Sequence, residues 1–282
     1  MSTLEQVTEP IAYHAEGPVW SPTWGGLRFV DLLAGDLLTV RDDGVHRLHV
    51  GNVAAFVRPR ERGGYVVGLE RGLGLADHVD DVPRALPEIW ADPGVRMNEG
   101  GADPWGNLYA GSMGYGAEPG RADLYRVTPQ GEVSVVLDDV TVSNGIGFSP
   151  DGTLAYYNDT PTGGIDVFDA VDGHLRGRRR FVTVEDGAGG PDGLCVDSAG
   201  NVWTALNGGG VVRCYTPAGA LLHEVAVPAR LVTACTLGGP DLRDLYITTS
   251  RENLGDDAEP EAGALFRIRV DVPGLPVLPY GG

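Results

Sequence analysis

Short apolar runs recur along the chain, each led by a turn rich in Gly, Pro or Asp. Six such units can be read: TWGGLRFVD, ERGGYVVGLE, DPWGNLYAGS, SPDGTLAYYND, DSAGNVWTAL and PDLRDLYITTS. Counted from the last Gly of each turn, five begin at Gly26, Gly64, Gly106, Gly152 and Gly200, at intervals of 38, 42, 46 and 48 residues. The sixth lacks the Gly and places Arg243 a further 43 on. Behind most of them lies a second strand-like run ending in another polar turn: DLLTVRDDG, ADLYRVTPQG, GIDVFDAVDG, GVVRCYTPAG and GALFRIRVDV. Two adjacent runs separated by a short Gly-containing loop read as hairpins.

A period in the forties with about four strands per unit marks a propeller blade. The spacing therefore predicts an all-β, six-bladed β-propeller. No stretch keeps a helical period over three turns. WD dipeptides are absent, which disfavours a WD40 propeller, and a two-sheet sandwich predicts no regular period. With no linker or low-complexity segment to divide the chain, residues 1–282 are expected to form one domain.

Composition agrees with this picture. Hydrophobic residues make up 42 %, enough for a sizeable core, and 43 Gly with 20 Pro suit many short strands joined by tight turns. The formal net charge of −18 argues against nucleic acid as a partner, since the longest basic cluster is the triplet Arg178-Arg179-Arg180. No stretch approaches the ~20 apolar residues that span a bilayer, so no membrane role is expected. The N-terminal sequence shows no basic region followed by an apolar one, and Cys195, Cys214 and Cys235 match no zinc spacing. The expected setting is cytoplasmic with reduced, buried thiols.

Loops from different blades of a propeller meet at one mouth of its central channel. Polar residues that interrupt the repeat at one place in the blade cycle are therefore candidates for a site. Four segments qualify: AEGPVW with Glu16; RMNEGGADPWGNLYAGSM with Arg96, Asn98, Glu99 and Asp103; VSNGIGFSPDG with Asn144; and GGPDGLCVDSAG with Asp192. Asn144-Gly145 and Pro191-Asp192-Gly193 also read as ordinary turn chemistry. Glu16 reads alone as a solvated side chain, and Arg96 as a surface cation or a salt-bridge partner of Glu99 or Asp103. Taken together, Glu16, Asn144 and Asp192 form an oxygen-only donor set suited to a doubly charged cation. There is no G-x-S-x-G elbow, H-E-x-x-H, P-loop or D-x-D-x-D-G loop. The six His residues are scattered and read as surface or hairpin positions.

At these four segments, from Glu16 to about Arg251, the sequence resembles the SMP-30/gluconolactonase/regucalcin family. RMNEGGADPWGNLYAGSM is similar to that family's R-x-N-D-G-x-x-D-P-x-G-R-x-x-x-G-[ST]-M signature. The resemblance implies a six-bladed propeller around one divalent cation, Ca2+ first, with Zn2+, Mn2+, Mg2+ or Fe2+ as alternatives. It implies Glu16, Asn144 and Asp192 as metal ligands, Arg96 and Asn98 as holders of substrate oxygens, and Asp192 as general base. The implied activity is hydrolysis of a small lactone. The ion polarises the carbonyl or supplies hydroxide, and the partner is a small-molecule substrate met by a monomer or simple homo-oligomer. The competing readings are another hydrolase or a specialised-metabolism enzyme on the same site, or a metal-bound binding module without catalysis. Two positions depart from the pattern. Glu99 stands where the family usually has Asp, and Gly116 where regucalcin-like members carry a substrate-binding Glu. A preference for less hydroxylated lactones follows from the second, unless Glu118 restores the acceptor. Cys195 is read as a packing residue.

Overall fold

The computed structural model describes residues 3–255 and 259–282. Its strands form six four-stranded antiparallel sheets. A short strand β1 (Glu5–Gln6) comes first in the chain. The first blade then runs through β2 (Ala15–Ser21), β3 (Gly26–Asp31), β4 (Asp36–Arg41) and β5 (Gly44–His49). The second holds β6 (Val57–Pro59), β7 (Tyr65–Gly68), β8 (Leu73–Ala76) and β9 (Arg84–Ala85). The third holds β10 (Val95–Ala102), β11 (Leu108–Gly114), β12 (Ala122–Val127) and β13 (Val133–Val140). The fourth holds β14 (Ser143–Phe148), β15 (Leu154–Asp159), β16 (Gly164–Val171) and β17 (His174–Thr183). The fifth holds β18 (Gly190–Val196), β19 (Val202–Asn207), β20 (Val211–Tyr215) and β21 (Leu221–Ala226). The sixth holds β22 (Val232–Gly238), β23 (Asp244–Thr249) and β24 (Leu265–Arg269).

Each recurring turn of the sequence leads into the second strand of a blade, and the runs behind it are third strands. The first strands β2, β6, β10, β14, β18 and β22 touch one another in sequence, and β22 touches β2. They ring the central channel. The sixth blade lacks a fourth strand of its own, and β1 supplies it. Glu5 lies opposite Arg267 and Gln6 opposite Phe266, so one sheet is built from both ends of the chain. Among the described residues, no helix is long and apolar enough to cross a membrane.

The core lies between blades, where the inner face of one sheet meets the next. One cluster joins Val30 and Leu37 of the first blade to Phe56 and Val66 of the second and to Met97 and Leu108 of the third. Another joins Trp203 and Val212 of the fifth to Ile247 and Phe266 of the sixth. Cys214 and Cys235 are buried, Cys195 is half-buried, and all three are unbridged.

The repeat also fixes its own corners. In DPWGN, Asp103 Oδ1 accepts the N–H of Trp105 (2.9 Å) and of Asn107 (2.8 Å), while Oδ2 accepts the Asn107 amide (2.8 Å). In DSAGN, Asp197 repeats this with Ala199 and Asn201 and adds the indole N–H of Trp203 (3.1 Å). These two corners turn the channel-lining strand back into the sheet. Asp197→Ala leaves buried donors unpaired and is expected to cost roughly 3 kcal/mol. A shift in urea midpoint of under 1 kcal/mol equivalent would show that water replaces the carboxylate.

Candidate functional site

Side chains alternate across a strand, so a regular inner strand sends every second residue into the channel. Here that alternation is broken at one level. The register with the second strand slips by one residue between Glu16 and Val19, Met97 and Gly100, Ser143 and Ile146, Pro191 and Leu194, and Val232 and Ala234. Such bulges bend a strand and re-aim its side chains. Glu16, Asn98, Glu99, Asn144, Asp192 and Thr233 lie at these slips. Glu16, Asn98, Asn144 and Asp192 each precede a corner residue (Ser21, Asp103, Ser149 and Asp197) by the same five positions. β6 pairs without a slip and brings no side-chain oxygen to the channel.

Asn144-Gly145 and Asp192-Gly193 are accordingly not turns, as one reading of the sequence had them; they lie inside β14 and β18. Their glycines serve close approach. A Cβ on Gly145 would meet the Leu194 nitrogen at 2.5 Å, and one on Gly193 would meet the Ala234 Cβ at 2.3 Å. Neighbouring inner strands thus come near enough for the preceding polar side chains to share one space.

All of the candidate residues are buried: Glu16, Arg96, Asn98, Glu99, Asn144 and Asp192 are each between 4 and 7 % exposed. The Gly17 N–H donates to Glu16 Oε2 (2.8 Å). Arg96 Nη1 donates to Met97 O (3.0 Å) and Asn98 Oδ1 (2.8 Å), and the Asn98 amide donates to Ser143 O (3.0 Å). The Asn144 amide donates to Thr160 Oγ1 (3.0 Å), and that of Asn207 to Asp192 Oδ2 (2.9 Å). These bonds turn nitrogens outward. Asn144 Oδ1, Asp192 Oδ1 and the neighbouring Asn158 Oδ1 are left buried with no hydrogen-bond partner. A buried, unpartnered oxygen is costly unless a ligand meets it. Among the described residues no three His, Cys, Asp or Glu side chains cluster as a metal site. The donor set here is two carboxylates with amide oxygens, and it fits a hard divalent cation.

The carboxylates crowd one another. Burial first, then the charges of Asp192 and Glu99, push the Glu16 carboxyl well above the usual range, against the pull of the Gly17 N–H and Arg96. Burial raises Asp192 to about 7; the Asn207 amide pulls it back, and the Glu99 charge adds to the rise. Burial also raises Glu99, opposed by Arg58. Burial lowers the Arg96 guanidinium, opposed most by Glu252 and Tyr115, whose ring centroid lies 6.0 Å from the guanidinium carbon.

Arg96 forms no salt bridge with Glu99 or Asp103: Glu99 pairs with Arg58, and Asp103 is held within its own corner. The histidines divide. His14 is buried beside the site, with Nδ1 2.9 Å from Ser250 Oγ and 3.1 Å from Glu252, contrary to the expectation of surface positions. Glu118 folds over Gly114 and Gly116 and pairs with Arg121 (2.7 Å). Sequence reasoning missed Arg58, Asn158, Asn207 and Glu252. The last two follow the apolar runs of second strands; Asn207 ends β19, a place where Asp31 and Asp159 end β3 and β15. Those two aspartates accept the N–H groups of His14 and of Val142 (3.0 Å each), just ahead of Glu16 and Asn144.

The family model described as SMP-30/Gluconolactonase/LRE-like region matches residues 14–251. The 6-deoxy-6-sulfogluconolactonase of Pseudomonas putida is 37 % identical over 280 residues, covering 96 % of each chain. A pentonolactonase of Haloferax volcanii is 34 % identical over 285 residues, covering 97 % of each. Among solved structures, regucalcin from Agrobacterium tumefaciens, a calcium-binding protein, superposes with a TM-score of 0.90 at 29 % identity over 97 % of this chain and 95 % of that one. By its family-model match, its relatives and its six-bladed ring, the chain belongs to the SMP-30/gluconolactonase/LRE-like family.

Proposed function

We propose that the protein hydrolyses a small lactone, with a divalent cation held by Glu16, Asn144 and Asp192. The observation that carries this reading is the pair of buried, unpartnered oxygens, Asn144 Oδ1 and Asp192 Oδ1, beside a buried Glu16. The lactonases among its relatives supply the reaction class. Ca2+ is the first candidate, because carboxylate and amide oxygens without nitrogen or sulfur suit a hard ion, and because the similar regucalcin binds calcium.

When bound, the cation supplies Lewis-acid stabilisation of the oxyanion that develops at the lactone carbonyl. The chain's own groups do the rest. Arg96 has one nitrogen fixed by Met97 O and Asn98 Oδ1, and a guanidinium so braced offers its remaining N–H donors to substrate oxygens. Asn98 sets the tilt of that guanidinium. Asp192 is oriented by Asn207 through Oδ2, which leaves Oδ1 for the cation and the second lone pair of Oδ2 to receive a proton from the attacking water. Water adds to the carbonyl carbon, the ring C–O bond breaks, and the proton passes to the departing alkoxide. The product is the open hydroxy acid.

Asp192→Ala is expected to abolish lactone hydrolysis and to weaken cation binding beyond the roughly 10–100-fold typical of a supporting residue. Full metal content by elemental analysis in that variant would overturn the ligand set. Arg96→Ala should raise KM or lower kcat while moving Tm by only a few degrees, because Arg96 forms no ion pair among the described residues; a collapse of Tm would make Arg96 structural. A third expectation concerns pH. Asp192 titrates near 7 in the cation-free fold against 3.8 for an ordinary Asp, so the folded state holds its proton more tightly than the unfolded one. The contribution of Asp192 to stability in chelator should therefore fall as pH rises from about 4 to about 7, by at most on the order of 4 kcal/mol. Thermal melts of the parent and of Asp192→Asn across this range test it. Equal slopes in the two would remove Asp192 as the cause.

A further inference from the structure

The second blade is the one that sends no oxygen to the slipped level of the channel. It sends a cation instead. Arg58, from β6, places Nη2 3.1 Å from Glu99 Oε1, and the same oxygen accepts the Gly100 N–H at 2.8 Å. Arg58 Nη1 is tied to Val57 O (2.7 Å), and its guanidinium carbon lies 5.9 Å from the Phe56 ring centroid. The side chains are 13 % and 5 % exposed, so the pair lies away from bulk water, where charge acts at longer range. Glu99 acts electrostatically on both Glu16 and Asp192, and Arg58 acts on Glu16 as well as on Glu99.

We propose that the Arg58–Glu99 pair is the charge setting of the cation site: Arg58 withholds Glu99 from the ion and offsets one of three buried carboxylates, fixing how tightly the channel holds a divalent cation. The inference rests on the cation site proposed above. Both residues are positioning residues that act through Glu16 and Asp192. Unpaired, the Glu99 carboxylate adds a full negative charge beside the ligands; with Glu99 neutralised, Arg58 adds a positive one. A pair that only braces the fold gives a different pattern, because breaking it from either side is destabilising in the same direction.

The test uses the full chain stripped with chelator, titrated with Ca2+ by calorimetry and with Tb3+ by sensitised luminescence. Arg58→Met is expected to tighten both cations by about tenfold, and Glu99→Gln to weaken them by about tenfold. The double variant should return to within about threefold of the parent, and Arg58→Lys, which keeps the charge, should match the parent. If Arg58→Met does not fold, the loss in Glu99→Gln and its recovery in the double variant carry the same test. Shifts of equal sign in the two single variants, or no shift in either, overturn the proposal and leave a structural pair. A parent that binds neither Ca2+ nor Tb3+ overturns the cation site itself, and this inference with it.

Discussion

Glu16, Glu99 and Asp192 lie buried around one axis, and the burial of like charges is the constraint to which the rest of the channel answers. Each carboxyl is pushed toward its neutral form by desolvation, and Glu16 and Asp192 also by the charge of Glu99. The fold meets this with fixed donors. Gly17 and Gly100 turn N–H groups onto Glu16 and Glu99, Asn207 holds Asp192, and two guanidinium groups stand close by. What these do not satisfy is as telling as what they do. Of the oxygens left over, Asn144 Oδ1 belongs to the fourth blade and Asp192 Oδ1 to the fifth, at corresponding places of their inner strands.

Delivering those oxygens requires the inner strands to depart from regular pairing. A one-residue slip costs a ladder bond, yet it recurs at the same level in five of the six inner strands. The glycine after Asn144 and after Asp192 makes room for the next inner strand, which passes where a side chain would stand. The second blade keeps regular pairing, and its Arg58 meets Glu99 of the third.

The blade count, the second and third strands, and the four site segments were legible because a repeat writes the same turn many times. Glu16, Arg96, Asn98, Asn144 and Asp192 stood out as polar interruptions of that repeat, and all five lie buried about the channel. Asn-Gly and Asp-Gly misled in part, since a glycine needed for close approach looks in sequence like one needed for a turn. Arg58, Glu252 and His14 were not legible. Each is placed by contacts between blades that are neighbours only in space, and no local pattern marks them. β1 was hidden for another reason: two residues are too short to show alternation, and their partner β24 lies at the far end of the sequence.

That pairing of the two ends has a consequence for how the molecule comes apart. A linear stack of repeats frays from its termini one unit at a time, because each unit leans on its neighbours alone. Here loosening the sixth blade also releases β1, and the bonds along its border with the first include Thr233 Oγ1 to Ala15 O (2.6 Å) and His14 to Ser250. Ala15 and His14 immediately precede Glu16. The seam of the ring thus runs into the first wall of the site, so an opening at the seam disturbs the strand that carries Glu16.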